Sequence, residues 1–164
     1  MKKIVLLLTT FALFCSCNKG VQDEQDSLAT KALENFSAFL VGTWKLESAD
    51  IPHSTKNDYT SDNVVFVFKS DGTLTILGEI SYDVDVPEYE TPLAYENYIK
   101  DKHKLTHGDH TCSLLEPISG NLPAIKIGDA TYTVYAEEDP ETLLSGNEMT
   151  LMYFHFFYSF RKVE

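Results

Sequence analysis

A single short stretch limits the fold more than any other. Residues 63–69 are rich in valine and phenylalanine, Ser70-Asp71-Gly72 follows, and residues 73–77 return with Leu74 and Ile76 alternating against threonines. Asp-Gly supplies the positive φ angles that a tight hairpin needs, and period-two alternation is the signature of a half-buried strand. The same grammar recurs. Trp44, Leu46 and Ser48 share one parity, and residues 122–127 and 130–136 flank Gly128-Asp129. Gly78 permits a further turn before residues 80–84, and Ser145-Gly146-Asn147 reads as another turn. Short strands at close turn spacing indicate an all-β barrel or sandwich.

Three regions break this pattern. Leu28, Ala32, Phe36 and Phe39 or Leu40 fall at helical spacing behind Asp26 or Ser27 as a cap, so residues 27–40 are expected to form one short amphipathic helix. Pro87 and Pro92 interrupt residues 85–94, and residues 95–105 read as strand or irregular chain. Residues 149–163 contain no turn residue. One strand of that length would span roughly 50 Å, so a bend or bulge is expected near residues 153–155.

The N-terminus has a different character. Met1-Lys2-Lys3 precedes an apolar run over residues 4–14, and polar residues follow from Asn18. The run is too short to span a bilayer, which takes ~20 apolar residues, and fits the apolar region of a signal peptide. Ser16 offers a small residue before Cys17, whereas Phe14 before Cys15 is large. Phe14-Cys15-Ser16-Cys17 resembles a lipobox, although Phe14 and Cys15 replace the usual leucine and small residue. The resemblance implies cleavage before Cys17 and acylation of that cysteine. Residues 1–16 are then the signal, 17–26 a lipidated cysteine with an acidic tether, and 27–164 one domain. Each buried CH₂ contributes about 0.8 kcal/mol to membrane binding, so more than one acyl chain gives a lasting anchor. The acidic run at residues 23–26 also resembles a surface-export signal. The expected location is the cell envelope, at the outer membrane of a Gram-negative bacterium.

Removing residues 1–16 takes Lys2 and Lys3 and no acid. Eleven basic and 25 acidic side chains remain, and net charge moves from −12 to −14. Such a surface repels nucleic acid. Of the three cysteines only Cys112 is left inside the domain, so an intramolecular disulfide is not expected. The 148 residues from Cys17 onward are enough for a core-stabilised domain, since one of ~150 residues buries ~70% of its unfolded surface.

Gly42-Thr43-Trp44 stands after the expected helix and opens the first strand, and Phe160-Arg161-Lys162-Val163 closes the last. This arrangement resembles the lipocalin-like domain of small bacterial lipoproteins, a calycin-type barrel with Gly-x-Trp at that place. The resemblance covers residues 40–164. It implies a small antiparallel up-and-down barrel in which a late basic residue packs over the tryptophan. Arg161, the only arginine, is the expected partner of Trp44, the only tryptophan. With Arg161 facing inward, however, Phe154, Phe156, Tyr158 and Phe160 would face outward, although they form the more apolar set.

The resemblance further implies non-catalytic binding of a small apolar ligand inside the barrel. Strand parity makes Leu46, Phe66, Phe68, Leu74, Ile76, Tyr132 and Val134 the lining residues, which is also the parity of ordinary core packing. The alternative is a filled barrel acting as a surface module for an envelope protein or a glycan, met through the acidic, tyrosine-rich residues 82–98. Asp83, Asp85, Glu88 and Glu90 alternate there with Tyr82, Tyr89, Tyr95 and Tyr98. His103, His107 and His110, with Asp109 and Cys112, carry the atom types that bind zinc. Gly108 and its neighbours do not read as the helix that would align them, so a polar loop without metal is expected. No nucleophile–base order and no phosphate-cradling loop is present. Neither catalysis nor a cofactor is expected.

Overall fold

The computed structural model describes residues 30–31, 33–85, 91–115, 123–137 and 145–163. The proposed signal (1–16) and tether (17–26) lie outside the described residues, as do Leu28 and Ala32 of the expected helix. After a helix described at 30–31 and 33–40 (α1) come β1 (Gly42–Asp50), β2 (Val65–Phe68) and β3 (Thr73–Leu77). A second helix, α2 (Pro92–Lys102), precedes β4 (Gly108–Leu115), β5 (Ala124–Ile127) and β6 (Ala130–Glu137). The last two strands are β7 (Ser145–Tyr153) and β8 (Phe156–Val163).

The eight strands close into one antiparallel up-and-down barrel, each beside its sequence neighbour, with β8 returning to β1. This architecture is compatible with a calycin-like fold. Thr43 pairs with Val163 and Asp50 with Phe157, and a register shift lies between Leu46 and Ser48. That irregularity changes the parity of β1. Trp44 and Leu46 are buried, then Ala49 rather than Ser48 turns inward.

The turns follow their chemistry. Gly72 has φ 82°, the Asp71 carboxylate accepts from the Thr73 amide at 3.0 Å, and β2 and β3 pair from Val65↔Leu77 to Phe68↔Leu74. Gly128-Asp129 joins β5 to β6. Ser145-Gly146-Asn147, expected as a turn, instead begins β7.

The 149–163 run is two strands. Residues 154–155 form a tight hairpin with Phe154 at φ 55°, and β7 and β8 pair from Tyr153↔Phe156 to Glu148↔Arg161. Phe156, Tyr158 and Phe160 are buried, whereas Phe157 and Arg161 are exposed. The apolar set thus faces the core, and the inward orientation expected of Arg161 is overturned. Residues 95–105 are also corrected, since 92–102 form α2. The histidine-bearing segment expected as a loop enters β4 at Gly108.

Candidate ligand-binding site

All seven proposed lining residues point into one continuous core. Leu46, Phe66, Leu74, Ile76, Tyr132 and Val134 are wholly buried, and Phe68 nearly so. Trp44, Phe156, Tyr158 and Phe160 share that core, with Ile125 and Leu151. Among the described residues no buried side chain carries a charge.

One end of the barrel is closed by α1. Phe36, Phe39 and Leu40 are buried, and the Phe39 ring lies 5.2 Å from Trp44. Trp44 Nε1 donates to the Leu40 carbonyl at 2.8 Å, and Lys162 Nζ donates to the Phe39 carbonyl at 2.7 Å. Both carbonyls belong to the last turn of α1, where helical partners run out and a cation complements the helix dipole. Lys162 Nζ also sits 5.1 Å from the Trp44 ring. Burial pushes the Lys162 pKa down. The basic residue over the tryptophan is therefore Lys162, not Arg161. It pairs with Trp44 in the β1–β8 ladder, while Arg161 pairs with Lys45. Arg161 stands on the outer surface, bound to Glu47 at 2.8 Å and Glu148 at 2.9 Å.

Gly42 explains how the lysine gets there. Its φ is 136°, and a Cβ at this position would lie 2.9 Å from Lys162 Cε. The glycine leaves the path along which the lysine stem crosses to α1.

The other end lies under α2. Ile99 is wholly buried, Tyr98 stacks on Phe156 at 6.3 Å, and His53 meets Tyr95 edge-on at 4.1 Å. Tyr82 packs against the core, and Val84 forms an isolated bridge with Ser54. The segment expected as a tyrosine-rich loop therefore places Tyr82, Tyr95 and Tyr98 against the barrel. Glu88, Tyr89 and Glu90 lie outside the described residues.

Polar atoms gather beneath this end. His103 Nδ1 and the Tyr158 hydroxyl are hydrogen-bonded at 2.7 Å. Burial lowers the His103 pKa to about 4 against a weaker, opposite effect of a backbone hydrogen bond to Leu105. The ring is therefore neutral at pH 7. The Tyr59 hydroxyl donates to the Ser81 carbonyl, and burial raises the Tyr59 pKa to about 12. Burial also raises Tyr158 and Tyr132, so both remain phenols. Tyr132 stands 5.3 Å from Tyr153, and its buried hydroxyl has no hydrogen-bond partner among the described residues.

The three histidines diverge. His103 turns inward, His110 Nε2 bonds the Thr106 carbonyl at 2.7 Å, and His107 is exposed. Asp109 accepts from the Thr75 hydroxyl, and burial pushes the Cys112 thiol up to about 11. Among the described residues no group of three or more potential ligands converges on a metal position.

Among the described residues, clefts border the barrel at three places. One of about 660 Å³, between β1 and the following loop, carries Glu47, Asp50, Lys56 and Asp58. A second, of about 450 Å³, lies on the outer face of β6 and β7, beside Tyr135 and Glu148. A third, of about 220 Å³, lies beside α1 and includes Phe68, the one proposed lining residue found in any of the three. The His103–Tyr158 pair and the unpartnered Tyr132 gave no signal in the sequence, because phenylalanine and tyrosine read alike as inward aromatics.

No family model matches the chain, and no curated protein or solved structure matches it.

Proposed function

We propose that this chain is a lipid-anchored envelope lipoprotein whose lipocalin-like barrel binds a small, mainly apolar ligand and catalyses no reaction. Cys17 carries the lipid, and the outer membrane is its site. The observation that carries the ligand reading is the Tyr132 hydroxyl, buried in the apolar core without a partner. An unsatisfied buried hydroxyl costs about 1–3 kcal/mol, which phenylalanine would avoid. A ligand admitted by parting the core side chains around that hydroxyl would recover the loss. The inward set that includes Leu46, Phe66, Phe68, Leu74, Ile76 and Val134 supplies the apolar surroundings.

A second reading, a surface module for an envelope protein or glycan, draws support from exposed apolar side chains. Leu93 on α2 and Phe154 in the β7–β8 turn are each 62% exposed.

Mass spectrometry of protein extracted from its native membrane tests both parts. The denatured mass is expected to match a chain beginning at acylated Cys17. The native mass is expected to exceed it by one small molecule recoverable in organic solvent. An uncut or unacylated chain overturns the anchor. Equal native and denatured masses overturn the carrier reading and favour the surface module.

A further inference from the structure

We infer that the cleft between α1, the β2–β3 turn and β4 binds a small carboxylate, whose ring-sized apolar body lies on the cleft floor and whose charged end meets Lys69. The site is separate from the Tyr132 hydroxyl, so the inference goes beyond the reading above and stands or falls without it.

The fold builds this cleft. Cys112 and Leu114 of β4 have the inward parity, while Thr111 and Ser113 are exposed. Both inward side chains pack against the core yet stay only half-buried. Buried Leu40 and Phe68 and half-buried Val41 complete the apolar floor. The Cys112 amide donates to the Gly72 carbonyl at 2.6 Å and draws the turn against β4. Glycine is required there, since its φ is 82° and a Cβ would lie 3.0 Å from the Cys112 carbonyl oxygen. The cleft offers about 220 Å³. An apolar cavity of ~150 Å³ takes benzene, so a ring with a short side chain fits.

The charge of the ligand follows from the rim. Among the described residues Lys69 is the only charged side chain lining this cleft, and it joins no salt bridge there. The other two clefts carry carboxylates, Glu47, Asp50 and Asp58 in one and Glu148 in the other. In a chain of net charge −12, this is the cleft that presents a cation to an anion. Ser37 and Ser70 stand on the same rim, and hydroxyls donate to a carboxylate. Asp71, beside Ser70, turns its own carboxylate to the Thr73 amide. Bare carbonyls at the end of α1 would repel an anion. Those of Phe39 and Leu40 are covered by Lys162 and Trp44. Burial keeps the Cys112 thiol protonated, so the floor adds no negative charge.

Cys112 itself reports occupancy. The full chain in lipid nanodiscs is alkylated with iodoacetamide at about pH 8, and the label on Cys112 is followed by peptide mass spectrometry. Phenylacetate, phenylacetamide and phenethylammonium share a body and differ in charge, and titrating the protection gives each Kd. A ligand of about ten heavy atoms is expected to bind with a Kd on the order of 0.1–1 mM. At about ten times that Kd, phenylacetate is expected to slow labelling about 10-fold. The amide is expected to bind about 5-fold more weakly, and the ammonium at least about 10-fold more weakly. Lys69→Gln, a change at an exposed position, is expected to melt as the parent does and to bring phenylacetate down to the affinity of the amide. Tyr132→Phe is expected to bind all three as the parent does. Protection by the amide equal to that by phenylacetate overturns the carboxylate assignment, as does unchanged phenylacetate affinity in Lys69→Gln. Weaker protection in Tyr132→Phe puts the ligand in the core and overturns the placement. If no probe slows the labelling, the cleft is not a site, while the native mass described above still decides the carrier reading.

Discussion

Lys162 and Arg161 are adjacent cations on β8 with opposite duties. Lys162 ties β8 to Trp44 and to the end of α1, whereas Arg161 bridges Glu47 and Glu148 in solvent. A cation–π contact and a hydrogen bond to a helix-terminal carbonyl are each worth about 1 kcal/mol. Lys162→Ala is therefore expected to lower unfolding stability by about 1–2 kcal/mol in urea titration. Arg161→Ala is expected to leave the midpoint nearly unmoved, as exposed ion pairs contribute little. Gly42→Ala displaces the lysine stem, so combining it with Lys162→Ala should cost less than the two losses added. An Arg161→Ala loss as large as that of Lys162→Ala would contradict this division. The sequence already held the clue, because an inward Arg161 forced Phe156, Tyr158 and Phe160 outward. What it lacked was the hairpin at residues 154–155, which starts β8 in the phase that buries those three rings. No glycine marks that turn; Phe154 itself adopts the positive φ.

The Asp71-Gly72 and Gly128-Asp129 turns made their hairpins legible, Ser145-Gly146-Asn147 misled, and α2 and β4 had no such signal. β3 lies at residues 73–77 as expected, and Gly128-Asp129 separates β5 from β6. α2 was missed for a physical reason. Of its eleven residues only Ile99 is buried, so no apolar stripe at helical period runs along it. β4 was missed because none of its residues is fully buried and the strand begins among polar side chains. α2 is thus held by few contacts, among them the His103–Tyr158 bond just past its last turn. Folding keeps the His103 pKa near 4 against 6.5 for a free imidazole. The unfolded chain therefore binds the proton first as pH falls. The associated stability is fully present above pH 6.5 and is lost progressively as pH drops toward 4. This contribution is on the order of 3 kcal/mol. Urea midpoints measured between pH 4 and 7 are expected to fall with acid in the parent chain. In His103→Gln, which can still bond Tyr158 but does not titrate, the slope should flatten. An equal slope in the variant would assign the effect to other groups.

At the scale of the whole molecule, closure is what the strands achieve together. β1 must pair with β2 on one side and with β8 on the other, so contacts between the ends of the chain complete the fold. Period-two parity and turn spacing made a barrel legible, but not whether its edges would meet. That depends on how Lys162, Phe160 and Tyr158 align with Trp44, Leu46 and Ala49 across a register shift. Among the described strands the closed ladder leaves no open sheet edge. Within the barrel Cys112 is a free thiol, half-buried on β4 and held protonated well above neutral pH. A thiol in that state is a poor nucleophile for disulfide exchange. If the chain is exported as proposed, core burial has to hold the domain in an oxidising compartment, where small domains often depend on disulfides. The melting temperature is accordingly expected to be the same with and without dithiothreitol. Cys112→Ser should share that insensitivity to reductant while melting somewhat lower, because a polar hydroxyl replaces a thiol beside the core. A drop in melting temperature on reduction of the parent, absent in Cys112→Ser, would reveal a disulfide through Cys112. It would also place part of the stability in a covalent bond between chains or to a cysteine outside the barrel.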